Sequence, residues 1–500
     1  MFKDLKDFLP NSTLEYDICI IGSGPAGISL AKQLLGTKFK IAILESGGIE
    51  PEDEYQDLNE GENSGPSYLS LYSSRLRCFG GAGKLWAGVC APFKDDEFNK
   101  KPYIELSGWP ISFNDLETYY KKAAKLLGIS FEKFYDKTLI GDTFKEMSFR
   151  EFNRDNSLLS ANVFQISSSK DRDLAEKFKT EFKTSVNAHV IFHSTVTELN
   201  LSSSGTRIES VSVADLNGNK SNIKSKIFIL ACGALENPRI LLMSNKSNKK
   251  GIGNDNGLVG ACFMSHPGIM NVAEIYKTSS NYCVSQDGSN IKHKVVFEIS
   301  SKERFKQKTL RHSLSIKPNK TLLEKPSFKN TNLIDRVACF FKRDHEFSPK
   351  KWSLDIGLEQ PPRLSNKLLL DKSKDNLGMP KINMYWDDIS EIEKDTVTKT
   401  TKTMARELGI LGTGRIKFKD ELLSGESYKI DDPINHHIGT TRMSDSSKTG
   451  VVDKNCKVFG ISNLYIAGSS VFATSSIVNP TYTIVALSIR LGEYIKNIKL

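Results

Sequence analysis

The stretch "YDICIIGSGPAGISLAKQLL", residues 16–35, decides the fold of this chain. Its first six residues are almost all apolar, as in a strand buried within a parallel sheet, and apolar residues at helical spacing continue to Leu35. Three glycines separate these two segments, and a second apolar strand, "KIAILES" (residues 40–46), follows the helix. This order predicts a strand–turn–helix–strand unit of the kind that binds dinucleotides.

The three glycines have separate physical tasks in such a unit. Gly22 permits the tight turn, Gly24 lets a pyrophosphate approach the backbone, and Gly27 lets helix and strand pack closely. The positive end of the helix would hold the pyrophosphate. Glu45, at the end of the second strand, can accept hydrogen bonds from a ribose. The loop therefore predicts a bound dinucleotide, but it does not distinguish NAD from FAD.

Length, charge and cysteine content narrow the class of protein. Five hundred residues are too many for one ordinary core, so we expect two or more domains. The net charge of +10 comes from 69 basic and 59 acidic residues, and the lysine clusters lack interleaved aromatics, which argues against nucleic-acid binding. The sequence shows neither a secretory signal nor an apolar run of the roughly 18–20 residues that a membrane span needs. Eight cysteines without a CxxC pair predict reduced thiols and a cytoplasmic location.

The remaining segments distribute the nucleotide-binding elements over the whole chain. Residues 47–103 are rich in Gly, Ser and charge, which predicts long excursions over a binding site. Alternating patterns with turns predict several strands over residues 189–233. Helical patterns cover residues 389–410 and 481–498. Since no 20- to 50-residue repeat is visible, we expect other material to be inserted between the nucleotide-binding elements.

Four motifs in order give the chain a family resemblance. They are "RLRCFGGAGKLWAGVCAP" (75–92), "FILACGALENPRILLMS" (228–244), "HHIGTTRM" (436–443) and "NLYIAGSSVFATSSIVNPTYTIVAL" (463–487). Together they resemble the glucose-methanol-choline (GMC) oxidoreductases, FAD-dependent enzymes that oxidise alcohols. Three further segments look like the pyranose-oxidase-like branch: "SGWPIS" (107–112), "FMSHP" (263–267) and "SNKLLLDKSKDNLGMP" (365–380).

The resemblance implies an α/β fold with a discontinuous cofactor domain. A Rossmann-type FAD-binding domain, of the kind shared with p-hydroxybenzoate hydroxylase, would carry an inserted α+β substrate-binding domain built on an antiparallel sheet. We expect the FAD-binding domain to comprise residues 1–95, 186–265 and 431–500. The substrate-binding domain and its lid excursions would then comprise residues 96–185 and 266–430.

The resemblance also implies which residues carry the chemistry. The histidine three residues before the glycine of HxxGT is the family's base, which is His436 here, and the second polar residue over the flavin is Asn479. A neutral imidazole with a pKa near ~6.5 can remove the hydroxyl proton while hydride leaves for the flavin, and the amide can donate to the same oxygen. His437 is expected to be structural, with a substrate contact as the alternative. No HxH or HExxH pattern occurs, so no metal is expected.

The implied cofactor is FAD, bound without a covalent link. Some pyranose-oxidase-like proteins attach FAD through a histidine in the glycine-rich loop, but Leu85 occupies the matching position here. Trp86 either forms a wall of the flavin and substrate pocket or packs in the core. The residues implied to contact FAD are Gly22, Gly24, Pro25, Ala26, Gly27, Glu45, Ser46, Gly80, Gly81, Gly83, Leu85, Trp86, Val196, Cys232, Gly233, Ala467, Gly468, Asn479, Pro480 and Thr481.

The implied activity is oxidation of a secondary alcohol to a ketone, at C2 or C3 of a sugar or glycoside. A non-sugar alcohol from a biosynthetic pathway is the first alternative, and a flavin-bound lyase without net redox change is the second. The partners would be a small-molecule alcohol and an electron acceptor, which is oxygen, a quinone or a redox protein. The sequence does not indicate an oligomeric state.

Overall fold

The computed structural model describes residues 1–65, 70–140, 157–277, 293–318, 351–387, 389–420, 422 and 432–499. Parts of the two predicted substrate-domain segments, 96–185 and 266–430, lie outside these described residues.

The helices and strands are numbered in chain order over the described residues. The helices are α1 Pro25–Leu34, α2 Asp53–Gln56, α3 Asp95–Phe98, α4 Asn114–Leu126, α5 Ser169–Arg172, α6 Leu174–Thr184, α7 Gly233–Met243, α8 Ser301–Gln307, α9 Glu391–Leu411 and α10 Thr481–Lys496. The strands are β1 Phe2–Asp4, β2 Thr13–Ile21, β3 Ile41–Leu44, β4 Gly61–Asn63, β5 Val89–Cys90, β6 Leu159–Ile166, β7 Ala188–Phe192, β8 Thr195–Leu201, β9 Ile208–Ala214, β10 Lys220–Leu230, β11 Met264–Lys277, β12 His293–Ile299, β13 His312–Pro318, β14 Lys351–Leu358, β15 Lys367–Lys374, β16 Pro380–Tyr385, β17 Gly414–Phe418, β18 Asp432–Ile438 and β19 Leu464–Ile466.

The first sheet is mostly parallel and contains the predicted dinucleotide-binding unit. Its strand order is β1-β7-β3-β2-β10-β9-β8, and β19 pairs with the end of β10 beyond the part that β9 covers. The pairs β2–β3 and β2–β10 are parallel, as the apolar run predicted. A strand in a parallel sheet is buried on both faces, so its sequence is apolar throughout and does not alternate with polar residues. Residues 18–21 of β2 are at most 3% exposed, and α1 packs against α10 beside the sheet.

The second sheet is antiparallel and has the order β17-β11-β14-β13-β12-β6-β5, with β18 paired to β11. Its core includes Leu354 and Ile356 from β14, and Val397, Met404 and Leu408 from α9 pack with them. Strand β18 carries His436 and pairs with β11 of this sheet, and the predicted domain boundary at residue 431 lies directly before it. Strand β18 therefore places His436 in the antiparallel sheet.

Helix α9 shows how local sequence sets element ends in this domain. Ser390 and Glu393 form a reciprocal capping box at its start, with the Ser390 backbone N–H donating to the Glu393 carboxylate at 2.8 Å. Gly412 ends the helix in the left-handed conformation, with φ of 67°. The observed helix, 391–411, agrees within two residues with the predicted range of 389–410.

A small third sheet joins the two halves of the chain. Strands β15 and β16 form an antiparallel hairpin from the segment "KLLLDKSKDNLGMPKINMY", and β4 adds to β16 in parallel. Among the described residues, no helix combines the length and apolar character that crossing a bilayer requires.

Candidate active site

A cavity of about 640 Å³ opens where β2, β3, β10 and β19 end. Both predicted catalytic residues, His436 and Asn479, line this cavity, and so does His437. Most of the predicted cofactor contacts line it too: Gly22, Gly24, Pro25, Ala26, Glu45, Ser46, Gly81, Gly83, Leu85, Trp86, Val196, Cys232, Gly233, Gly468, Asn479, Pro480 and Thr481. Residues separated by more than 400 positions thus meet at one edge of the parallel sheet, the usual location for ligands in such folds.

Three predicted cofactor contacts do not line the cavity and instead contact residues next to it: Gly27, Gly80 and Ala467. A Cβ on Gly27 would lie 2.0 Å from the carbonyl oxygen of Gly22, so this glycine permits the close packing of α1. Gly80, with φ of +100°, donates its N–H to the carbonyl of Ser23. Ala467 accepts a hydrogen bond from the side chain of Asn237 at 3.2 Å.

The glycine loop has the shape that a pyrophosphate needs. Gly22 has φ of +102°, and a Cβ there would lie 2.7 Å from the carbonyl oxygen of Ala231. A Cβ on Gly24, by contrast, would meet no heavy atom within 4 Å, so open space lies in front of this residue where α1 begins. Because the first N–H groups of a helix lack intrahelical partners, this open space suits an anion. The loop therefore fits the FAD that the family resemblance implies.

Glu45 lines the cavity and also forms hydrogen bonds with the glycine loop. Its carboxylate accepts hydrogen bonds from the hydroxyl and backbone N–H of Ser23 and from the backbone N–H of Gly47. Burial raises the pKa of Glu45, against the effect of these hydrogen bonds. The carboxylate is thus already oriented by the loop beside which the predicted ribose would lie.

The loop that carries Leu85 and Trp86 forms the outer part of the cavity. Leu85 is 58% exposed and ends the 3-10 turn Gly81–Lys84. Its side chain has no atom able to attach to a flavin. Trp86 lines the cavity, packs against the main core, and donates its indole N–H to the carbonyl of Arg172 at 3.0 Å. The Trp86 side chain thus contacts both the cavity and the core.

Cys232 is a half-buried cysteine shortly after the end of β10. Its Sγ donates to the carbonyl of Ile21 at 3.0 Å, and its backbone N–H donates to the side chain of Asn237 at 2.8 Å. Burial raises the pKa of the Cys232 thiol. A thiol with a raised pKa stays protonated at neutral pH, and a protonated thiol is a poor nucleophile.

His436 and Asn479 lie in direct contact, although 43 positions separate them in the chain. The Nδ2 atom of Asn479 lies 3.1 Å from Nε2 of His436. Burial, together with the nearby His266 and His437, holds the pKa of His436 well below its usual value. The imidazole is therefore neutral, and it lies within hydrogen-bond distance of the Asn479 amide.

His437 has different neighbours from His436, as expected for consecutive residues of a strand. Its ring lies 5.9 Å from the ring of Phe263, and its backbone carbonyl accepts a hydrogen bond from Ser469. Burial, with the charge of Arg75, lowers the pKa of His437 to about 3. The ring is therefore neutral, and its carbonyl ties β18 to the loop after β19.

Sequence reasoning missed one histidine and one ionic cluster at this site. His266 lies next to His436, with 2.8 Å between their Nδ1 atoms. Glu236 forms ion pairs with Arg75, Arg77 and Arg239, and all except Arg239 line the cavity. Burial opposes ionisation of Glu236, but the three guanidinium groups outweigh it and lower its pKa to about 2. The sequence offered one indication of this cluster: charged residues occur within two otherwise apolar motifs, "RLRCFGG" and "ALENPRIL".

Helix α10 begins at the cavity. Pro480 precedes its first residue, Thr481, and both line the cavity beside Asn479. Among the described residues, no group of three or more His, Cys, Asp or Glu side chains is arranged to hold a metal ion.

Family models describe two long parts of this chain. The N-terminal model of the GMC oxidoreductases matches residues 109–268, and the C-terminal model matches residues 362–488. The 2-methyl-1,2-propanediol dehydrogenase of Mycolicibacterium austroafricanum is 23% identical, with 97% of this chain and 96% of that protein aligned. The fructose dehydrogenase large subunit of Gluconobacter japonicus is also 23% identical, with 98% and 99% aligned.

Solved structures share the fold at lower sequence identity. A formate oxidase is 16% identical with a TM-score of 0.56, covering 98% of this chain and 99% of its own. The pyridoxine 4-oxidase from Mesorbium loti is 14% identical with a TM-score of 0.57, covering 97% and 100%. Because the two family models together span more than half of the chain, and its cavity has the features that FAD needs, the protein belongs to the GMC family of FAD-dependent oxidoreductases.

Proposed function

We propose that this protein oxidises a secondary alcohol to a ketone, at C2 or C3 of a sugar or glycoside, with His436 as the base and Asn479 as its partner. The contact between His436 Nε2 and Asn479 Nδ2 is the observation that carries the proposal. It supplies one hydrogen-bond acceptor and one donor that face each other inside the cavity.

A hydroxyl group matches this pair better than other polar groups do. A hydroxyl both donates one hydrogen bond and accepts others, so it can donate to His436 Nε2 while it accepts from the Asn479 amide. A carbonyl group only accepts, and a protonated amine only donates. The pair therefore favours an alcohol as the reacting group.

In this proposal, one residue of the chain accepts the hydroxyl proton and another binds the hydroxyl oxygen. Bound FAD supplies the hydride acceptor, the N5 atom of its ring system. His436 takes the hydroxyl proton on Nε2, which typically contributes about 10²–10⁴-fold to the rate. Asn479 holds the oxygen and stabilises the negative charge that develops on it. Burial of the imidazole keeps it neutral before the substrate arrives.

The assignment to sugars rests on the segments "SGWPIS", "FMSHP" and "SNKLLLDKSKDNLGMP" and on the relationship to the fructose dehydrogenase large subunit. The relationship to a 2-methyl-1,2-propanediol dehydrogenase is the reason to keep a non-sugar alcohol as the second candidate.

We propose oxygen, a quinone or a redox protein as the electron acceptor. We also propose a reducing, cytoplasmic location, since the six cysteines within the described residues are free thiols.

The cofactor is proposed to be held by four groups of residues. The glycine loop and the start of α1 would hold the pyrophosphate, Glu45 the ribose, and Val196 the adenine through its backbone. The backbone at Gly468 and the start of α10 would contact the flavin end, where the helix dipole favours negative charge. FAD is proposed to be dissociable because Leu85 offers no atom for attachment. The domain division given above is part of the same proposal.

A substrate panel tests the proposal. The FAD-loaded protein is mixed without oxygen with glucose, its methyl glycoside, 6-deoxyglucose and non-sugar diols, and loss of the oxidised flavin absorbance is followed. We expect the methyl glycoside and 6-deoxyglucose to reduce the flavin, because each retains the C2 and C3 hydroxyls while lacking the anomeric or the primary hydroxyl.

The other outcomes separate the alternatives. Reduction by the diols alone would overturn the sugar assignment and retain alcohol oxidation. Release of a product without any flavin reduction would favour the flavin-bound lyase.

The fit of the glycine loop to FAD is tested by Gly24→Ala. The Cβ enters the open space where the pyrophosphate would lie and touches no protein atom, so the fold is expected to be kept while FAD affinity falls at least about tenfold, or ~1.4 kcal/mol. Equilibrium titration of the flavin-free protein with FAD measures this loss. Gly409→Ala is the matched control, because Gly409 lies exposed in α9 and its Cβ also meets nothing within 4 Å. Unchanged FAD affinity in Gly24→Ala would argue against pyrophosphate binding at this loop.

A further inference from the structure

A buried histidine, His266, lies in contact with the proposed base. It stands near the start of β11, opposite Ile434 of β18, and its side chain is almost wholly buried. The His266 and His436 rings meet edge to face, with centroids 4.9 Å apart and an angle of 84° between their planes. This geometry aims Nδ1 of one ring at Nδ1 of the other, 2.8 Å away.

The Ser475 carbonyl, His266 and His436 lie in a row of hydrogen-bonded groups, and the direction of each hydrogen bond follows from the carbonyl end. The Nε2 atom of His266 lies 3.0 Å from the backbone carbonyl oxygen of Ser475. A carbonyl oxygen only accepts, so His266 must carry its hydrogen on Nε2. In a neutral imidazole the other nitrogen, Nδ1, then has a lone pair. His436 must therefore donate its own Nδ1–H to His266.

The same assignment leaves the reactive atom of His436 free of hydrogen. With its proton on Nδ1, neutral His436 has its lone pair on Nε2, the atom that faces the Asn479 amide. Burial lowers the pKa of His266 to about 4 and holds that of His436 well below its usual value, so both rings are neutral. The opposite tautomer of either ring would set two lone pairs, or two hydrogens, against each other.

We propose that His266 is a positioning residue, which fixes the tautomer and the ring orientation of His436 so that Nε2 always presents its lone pair to the substrate hydroxyl. The proposal rests on the proposed role of His436 as the base. Once His436 has taken the substrate proton, its Nδ1–H still donates to His266, which stabilises the imidazolium. His266 does not pass the proton on, because its own hydrogen is held by a peptide carbonyl.

The anchor of His266 also fixes the other half of the site. The hydroxyl of Ser475 donates to the carbonyl of Gln360 and accepts from the Gln360 backbone N–H, each at 3.0 Å. Asn479 follows Ser475 by four residues in the same loop. One fixed loop therefore sets the positions of both the Asn479 amide and, through His266, the His436 imidazole.

Two substitutions distinguish positioning from simple packing. In His266→Asn, the amide oxygen lies near the former Nδ1 position and can accept the His436 hydrogen. In His266→Gln, the longer side chain keeps a donor for Ser475 but leaves no acceptor near His436 Nδ1. A packing role predicts that glutamine, which is closer in size and keeps the anchor, is the better substitute. The positioning role predicts the reverse.

The first measurement needs neither FAD nor substrate. Nitrogen NMR of protein with isotope-labelled histidine distinguishes protonated from unprotonated ring nitrogens, and the signals of His436 are identified by their loss in His436→Asn. We expect His436 to carry its hydrogen on Nδ1, which is the less common neutral form of free histidine, in the wild type and in His266→Asn. In His266→Gln, we expect this signature to be lost.

The second measurement is anaerobic flavin reduction by the best alcohol of the panel. We expect the limiting rate to fall about 10–100-fold in His266→Gln, with little change in alcohol affinity, and to recover in His266→Asn. A wild-type His436 with its hydrogen on Nε2, or a glutamine variant with unchanged tautomer and rate, would overturn the positioning role. If no alcohol reduces the flavin while the NMR signature is as expected, the proposed function fails, and what remains is that His266 sets the tautomer of His436.

Discussion

An alanine at position 436 is expected to slow alcohol-driven reduction of the flavin by about 10²–10⁴-fold while FAD stays bound. The methyl group offers no acceptor for the hydroxyl proton, so hydride loss would have to proceed without its removal. FAD binding should persist, because the hydrogen bonds that His436 makes go to His266 and Asn479 and not to the glycine loop. Stopped-flow mixing without oxygen measures the rate, and the visible spectrum measures the FAD content.

His193→Gln is the control for this experiment. His193 is not part of the cavity lining, and its side chain pairs with Asp4 at 2.7 Å and with Glu52 at 3.1 Å, so this substitution should leave the reduction rate unchanged. In the wild type the rate should be constant from neutral to alkaline pH and fall only in acid, since the depressed pKa keeps His436 neutral until then. Normal reduction in His436→Ala would remove the catalytic assignment.

The parts of the fold that were predicted from sequence are those with local signals. The buried strand β2, the glycine turn and helix α1 lie within 22 consecutive residues, and each follows from hydrophobic spacing or from glycine geometry. The helices α9 and α10 were found for the same reason. The order of the strands in the sheets was not predicted, because pairing partners such as β10 and β19 are more than 200 residues apart.

The antiparallel sheet shows the limit of local reasoning more sharply. The motif around His436 resembles a cofactor-binding segment, yet β18 pairs with β11, about 170 residues earlier in the chain. This pairing brings His266 beside His436, and a one-residue change of register would turn the His266 side chain to the other face. The family motifs therefore pointed to His436 and Asn479, which lie in contact, whereas the position of His266 beside them depends on a register that no short pattern encodes.

The second large effect concerns stability and is expected at Arg311, which lies behind the same loop. Its guanidinium group is 1% exposed and forms ion pairs with two fully buried carboxylates, Glu97 and Glu298. It also donates to the hydroxyl of Ser476, the neighbour of Ser475, at 3.2 Å. Glu298 has a second cation, Lys94, and a hydrogen bond from Asn162 at 2.7 Å.

Arg311→Met is expected to lower the free energy of unfolding by about 3–5 kcal/mol, because it removes the cation paired with Glu97 and one of the two paired with Glu298, while both carboxylates stay buried. Denaturant titration measures this loss. Lys121→Met is the control for removing a surface charge: its pair with Glu117 is 49% and 39% exposed, so the loss should stay below ~0.5 kcal/mol. Equal stability of Arg311→Met and the wild type would mean that the attraction in the network only balances its desolvation cost.

A double variant identifies the orphaned charge as the cause. In Arg311→Met, Glu298 keeps Lys94, but the ion pair of Glu97 is lost. Glu97→Gln in the same protein removes that unpaired charge, so we expect Arg311→Met/Glu97→Gln to recover part of the lost stability. The double variant should still reduce its flavin more slowly than the wild type, because the hydrogen bond from Arg311 to Ser476 is not restored and the loop that holds His266 and Asn479 depends on it. Recovery of stability without recovery of rate would separate the two functions of this arginine.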